Sequence, residues 1–131
     1  MKYLLDTGSC LTFIDKARPA LLERVDAVGR KAVALSAISA GELATWAANS
    51  PNRIQAVNQL DSLLAHFRVL SFDLDCAKAY GAVRGRLERE GKGLGPLEML
   101  VAAHALCQGM TLVTEQPERF EQVQALGVER W

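Results

Sequence analysis

Short apolar runs alternate with longer stretches of helical periodicity along the whole chain. Residues 2–5 read as a first strand, 32–35 as a second, 68–71 as a third and 111–114 as a fourth, with a short last strand over 128–131. Between them, residues 9–17 place Cys10, Phe13, Ile14 and Ala17 on one helical face. Pro19 opens a second helix to about Val28, and Gly29 closes it. Ser39 and Glu42 have capping-box spacing for a helix reaching about Asn49. After the Ser50-Pro51-Asn52 break, Ile54, Val57, Leu60, Leu64 and Phe67 predict a buried stripe. Asp73 or Asp75 caps a long helix to about Glu90, with Ala77, Tyr80, Val83 and Leu87 inward. A glycine-rich loop, 91–95, precedes a helix opened by Pro96 and ended at Gly109, and Phe120 and Val123 mark a short helix. Strands alternating with helices predict an α/β fold: a mostly parallel sheet of four or five strands with helices on both faces, in one domain spanning 1–131.

Composition narrows the partners. Fifteen basic residues balance fifteen acidic ones, so no global field draws nucleic acid, and RNA contact would need a local patch. Arg84, Arg86, Arg89 and Lys92 form a basic stretch, interrupted by Glu88 and Glu90, that reads first as a solvated face and otherwise as a contact to RNA phosphates. Cys10, Cys76 and Cys107 make no C-x-x-C pair and read as small apolar core residues of a reducing compartment. No signal-peptide pattern opens the chain, and no window approaches the ~18 apolar residues of a membrane span, which points to the cytoplasm.

The chemistry lies in the acids. Asp6 follows the first apolar run, where a strand gives way to a helix, the edge at which open parallel sheets bind ligands. A carboxylate there is costly to bury unless a cation or donors meet it. An ordinary N-cap role competes with function for Asp6, a capping-box role for Glu42, and a first-turn dipole role for Glu98. If the three share the edge, they offer oxygen ligands that suit Mg2+ or Mn2+ better than Zn2+. Glu115 and Glu118 follow the fourth strand as further acids or as solvated charge. His66 and His104 read as structural, and the glycine loop lacks the Lys-Ser/Thr of a P-loop.

Together these segments resemble the PIN-domain ribonucleases, in particular VapC-type toxins of toxin–antitoxin pairs. Tyr3-Leu4-Leu5-Asp6-Thr7 is similar to the family's first motif and Ser39-Ala40-Gly41-Glu42-Leu43 to its second. Gly91 through Glu98 with Val101-Ala102-Ala103-His104-Ala105 is similar to the third, and Thr111–Thr114, Phe120 and Trp131 to the closing segment. The resemblance implies a three-layer α/β/α PIN-like domain and a Mg2+- or Mn2+-dependent endoribonuclease. Asp6, Glu42 and Glu98 would be its catalytic and metal-holding acids, and Glu115 or Glu118 a substitute fourth acid. It implies an RNA substrate such as tRNA, a homodimer, and a small VapB-like antitoxin that blocks the site and carries any DNA contact.

The chain departs from that pattern at four places. Gly8 stands where asparagine is common, Glu98 where aspartate is usual, and Gln116 and Arg119 at the two positions where a fourth acid or polar ligand falls. Arg119 would bring positive charge toward a cation site. These departures keep open a second reading, a PIN-like protein that binds antitoxin or RNA without cleaving. A haloacid-dehalogenase-like phosphatase would need a second aspartate at the position of Gly8.

Overall fold

The computed structural model describes all of residues 1–131 and contains one five-stranded, wholly parallel sheet in the order β3-β2-β1-β4-β5. The strands are β1 (Tyr3–Leu5), β2 (Val33–Ser36), β3 (Arg68–Leu70), β4 (Thr111–Val113) and β5 (Val128–Glu129). The helices are α1 (Thr7–Asp15), α2 (Pro19–Val28), α3 (Ala37–Ala48), α4 (Arg53–His66), α5 (Leu74–Arg89), α6 (Pro96–Cys107) and the short α7 (Pro117–Phe120).

The central strand β1 pairs Leu4 with Ala34 on one side and with Leu112 on the other. Side chains alternate across a strand, so each strand feeds both faces. Tyr3, Leu5, Val33, Leu35 and Val113 point into one buried cluster with Leu43, Leu60, Leu63 and Phe67. Leu4, Ala34 and Leu112 point into the other, with Leu87, Val101, Ala102 and Phe120. Two cores separated by one sheet give the expected three layers. Because β1 is buried on both faces, it reads as an unbroken apolar run rather than an alternating one.

Local chemistry moves some expected boundaries. Asp6 caps α1, which starts at Thr7 instead of Ser9. Ser36, rather than Ser39, caps α3 by accepting the Ile38 N–H at 3.0 Å, so Ser39 lies buried inside the helix and Glu42 falls a turn beyond its start. The capping-box glutamate of this chain is Glu98: its carboxylate accepts the Gly95 N–H at 2.9 Å. The buried stripe of α4 is also rotated from the expected one. Ala56, Leu60 and Leu63 face inward, while Ile54 is 80% and Val57 43% exposed. A small alanine on the buried face permits close packing in the cluster shared with Leu43 and Ala47 of α3. In α5, Cys76 is the buried residue near the start and Ala77 is exposed.

Candidate active site

At the carboxyl edge of the sheet, β1, β2 and β4 end beside the starts of α1, α3 and α6. A parallel sheet brings strand ends and helix N-termini to the same edge, so unpaired N–H groups and dipoles favour anions there. A cleft of about 250 Å3 opens at this edge, lined by Asp6, Thr7, Gly8, Glu42, Leu97, Glu98, Val101, Thr114, Glu115, Gln116 and Phe120. The three acids expected from sequence share it, with Glu115 as a fourth. Glu118 is exposed and outside the lining.

Asp6 is fixed by backbone. Its N–H donates to the Val113 carbonyl at 2.9 Å, extending the β1–β4 ladder one residue past the strand. Its Oδ1 accepts the Ser9 N–H at 2.8 Å. The capping and functional readings of Asp6 are therefore both compatible with its position, since capping uses one carboxylate oxygen. Burial raises its pKa, opposed by the Thr114 hydroxyl and by Ser9 and reinforced by the Glu115 charge. Glu42 receives the Thr7 hydroxyl on Oε1 at 2.7 Å, which ties α3 to α1 across the cleft. Glu115 receives the Thr12 hydroxyl.

Glu98 is held differently. Arg119 donates Nε to Oε2 at 2.9 Å and Nη2 to Oε1 at 2.6 Å, a bidentate pair that joins α7 to α6. The Arg119 guanidinium, with help from the Gly95 N–H, holds the Glu98 carboxyl below its ordinary range. Gly95 permits this close packing, since a Cβ there would lie 3.1 Å from Glu98 Oε1.

The donor set suits a hard cation: carboxylate and hydroxyl oxygens, with no thiol or imidazole in the lining. Asp6, Glu42 and Glu115 meet only neutral donors, and burial penalises the charge of Asp6, so it is the one a cation would relieve most. Glu98 already has a cationic partner. No three of the cleft acids bring ligand oxygens within 4.8 Å of one another; the residues that reach that spacing are Asp73, Cys76 and Cys107, on the α5–α6 pair.

The remaining sequence candidates lie elsewhere. Arg84 pairs with Glu88 at 3.3 Å and with the Tyr80 hydroxyl at 2.6 Å. Arg86 pairs with Glu90 at 2.9 Å and with Gln124, and Lys92 with Glu90 at 3.1 Å. None of the three lines the cleft. His104 is fully buried, its Nδ1 2.8 Å from the Ser36 hydroxyl, and burial lowers its pKa. It anchors α6 to the end of β2. His66 ends α4 and packs its ring against Phe13 and Phe67. Sequence reasoning gave no roles to Thr7, Thr12 or Thr114. Their signal is weak, because a threonine one turn along a helix or past a strand is ordinary without a partner to aim at.

A family model described as "PIN domain" matches residues 3–126. The chain belongs to the PIN domain family. Among its relatives, "Ribonuclease VapC2" of Rickettsia felis is 30% identical over 132 residues, covering all of this PIN domain and 98% of that protein. The "tRNA(fMet)-specific endonuclease VapC" of Shigella flexneri is 31% identical over 133 residues, with the same coverage. Two solved structures share the architecture over the whole chain. One is VapBC2 of Rickettsia felis bound to a promoter DNA fragment, at 29% identity and a TM-score of 0.93, covering 99% of that chain. The other is DNA-bound VapBC of Salmonella typhimurium, at 27% identity and a TM-score of 0.95, covering 98% of that chain. The three-layer fold expected of this PIN domain is the one these structures share.

Proposed function

We propose that this protein is a VapC-type toxin, a divalent-metal-dependent endoribonuclease that hydrolyses RNA phosphodiester bonds and is neutralised by a cognate antitoxin. The observation that carries the reading is the gathering of Asp6, Glu42, Glu98 and Glu115 in one cleft at the carboxyl edge of a PIN-domain sheet. The named activities of the relatives support RNA as substrate, with tRNA as one class, and the VapBC complexes support an antitoxin partner that carries the DNA contact. We assign the working form to a homodimer in the cytoplasm. No helix is long and apolar enough to cross a membrane.

Asp6 and Glu42 would hold Mg2+ or Mn2+, with Glu98 joining once Arg119 releases it and Glu115 as the fourth acid. Such a cation supplies positive charge against the phosphodiester oxygens and makes water acidic enough to attack at neutral pH. The chain's own groups then have separate tasks. Ser9 N–H and the Thr114 hydroxyl keep the Asp6 carboxylate aimed into the cleft. The Thr7 hydroxyl fixes Glu42. The free N–H groups at the start of α1 favour a phosphate at the cleft mouth. When Glu98 is released, the Arg119 guanidinium becomes available to the scissile phosphate.

The second reading, a PIN domain that binds without cleaving, is favoured by one observation: both oxygens of Glu98 are occupied by Arg119. Purified protein incubated with total RNA and Mn2+ or Mg2+ separates the two. The nuclease reading expects cleavage that disappears with a chelator and in Asp6→Asn. A folded protein inactive with both metals would overturn the nuclease reading.

A further inference from the structure

Cys76 and Cys107, thirty-one positions apart in sequence, bring their sulfurs to 3.3 Å of each other. They lie where the start of α5 meets the end of α6, at the far end of this antiparallel pair from the glycine loop and Glu98. Cys76 is fully buried in the third position of α5, and Cys107, the last residue of α6, is partly exposed. Neither touches the cleft. The remaining cysteine, Cys10, is fully buried in the core on the opposite face of the sheet.

We propose that Cys76 and Cys107 are a reversible dithiol–disulfide pair that staples α5 to α6. Two apolar core cysteines need not face each other, yet these sulfurs are in contact, and Cys107 is only partly buried. Contact gives each thiol a high effective concentration of the other, which favours the intramolecular disulfide over a mixed one. The accessible residue starts the exchange. A low-molecular-weight disulfide such as oxidised glutathione is the oxidant: the Cys107 thiolate attacks it, forming a mixed disulfide and releasing one glutathione thiolate. Cys76 then gives up its proton and its sulfur attacks the Cys107 sulfur, releasing the second glutathione. Two protein thiols are oxidised, one glutathione disulfide is reduced to two thiols, and the protons pass to the departing thiolates. Burial raises the Cys76 thiol to about 11, which leaves little thiolate, so the second step relies on its contact with the Cys107 sulfur.

The bond closes a covalent ring that contains the glycine loop and Glu98. It would restrict opening of the α5–α6 arm, on which the Glu98 half of the cleft is built. Asp73 approaches both sulfurs within 4.8 Å and holds the Cys76 N–H at 3.0 Å, so the first turn of α5 is fixed before oxidation.

The test equilibrates the full-length protein in glutathione buffers from reducing to oxidising, then measures free thiols, non-reduced peptide maps and Tm. The expected result is loss of two of the three thiols, a linked peptide containing Cys76 and Cys107, and a Tm raised by roughly 5–15 °C and reversed by dithiothreitol. Cys107→Ser removes all three effects, and Cys10→Ser keeps them. A Cys107→Ala variant serves if serine at that position does not fold. Three free thiols in folded protein at the oxidising limit would overturn the proposal. So would a stable glutathione adduct on Cys107, or a link through Cys10.

Discussion

The two halves of the cleft are built on different principles. On the β1 side, Asp6 and Glu42 are positioned by backbone N–H groups and neutral hydroxyls, and their negative charge is left uncompensated. On the α6 side, Glu98 is neutralised by Arg119 through two hydrogen bonds. A buried carboxylate without a cation is a cost carried by the fold, and such costs persist where function uses them. A carboxylate with its own guanidinium is already satisfied. Under the proposed function, the contrast would make the Asp6 half the seat for an added cation and the Glu98 half a gate held by Arg119.

The largest expected effect comes from breaking the first half. Asp6→Asn should lower cleavage by more than the ~10–100-fold that follows loss of an outer partner of a metal ligand. It should also raise the Tm of the metal-free protein, because asparagine still caps α1 while the buried charge is gone. The sign follows from linkage. A carboxyl whose folded pKa is raised contributes stability below its ordinary 3.8 and loses it as pH rises through the folded value, so at neutral pH the charged form costs stability. Thermal melts beside an RNA cleavage assay check both parts. A lower Tm for the variant would mean that Asp6 is fully satisfied where it stands.

Next in size is the gate. Arg119→Gln frees both oxygens of Glu98 and removes a positive charge from the cleft. The Mn2+ concentration for half-maximal cleavage should fall by about tenfold, or ~1.4 kcal/mol. The ion pair is partly exposed, so the stability lost with it should stay within ~1 kcal/mol. An unchanged or higher metal requirement would make Arg119 a helper rather than a gate.

Much of this contrast is legible in the sequence. Asp6 stands out because a charge after an unbroken apolar run has few harmless explanations, and β1 is apolar because it is covered on both faces. The departures at Glu98 and Arg119 were visible as residue types, but their pairing across twenty-one positions was not, since it depends on how α7 packs against α6. The capping signals misled for a local reason. Ser36 and Ser39 both precede a helical stretch, and only the strand end decides which one caps, so Glu42 looked like the capping glutamate while Glu98 holds that role. The α4 stripe differs from its expected rotation because a small inward residue, Ala56, leaves little trace in the pattern of large apolar side chains. Contact between Cys76 and Cys107 depends, like the Arg119 pair, on how helices pack: it joins residues thirty-one positions apart where the start of α5 meets the end of α6.

Smaller effects sharpen the comparison. Thr7→Val removes the hydroxyl that holds Glu42 and should cost about 1 kcal/mol of stability, read from denaturant melts, with cleavage reduced several-fold. The pH profile of stability should divide by half-site. Glu98, with its lowered pKa, contributes stability above its ordinary 4.5 and loses it as pH falls through the folded value. Asp6 behaves in the opposite sense over the acid range. Acid melts of Arg119→Gln should therefore lose less stability below pH 4.5 than the wild type, because the pair's contribution, within ~1 kcal/mol, is already missing from the variant at neutral pH.

The most direct measurement is a calorimetric titration of the metal-free protein with Mn2+, in wild type, Asp6→Asn and Arg119→Gln side by side. The account predicts measurable binding by the wild type, its loss in Asp6→Asn and tighter binding in Arg119→Gln. Equal binding by all three, or binding that survives Asp6→Asn and disappears in Arg119→Gln, would contradict it.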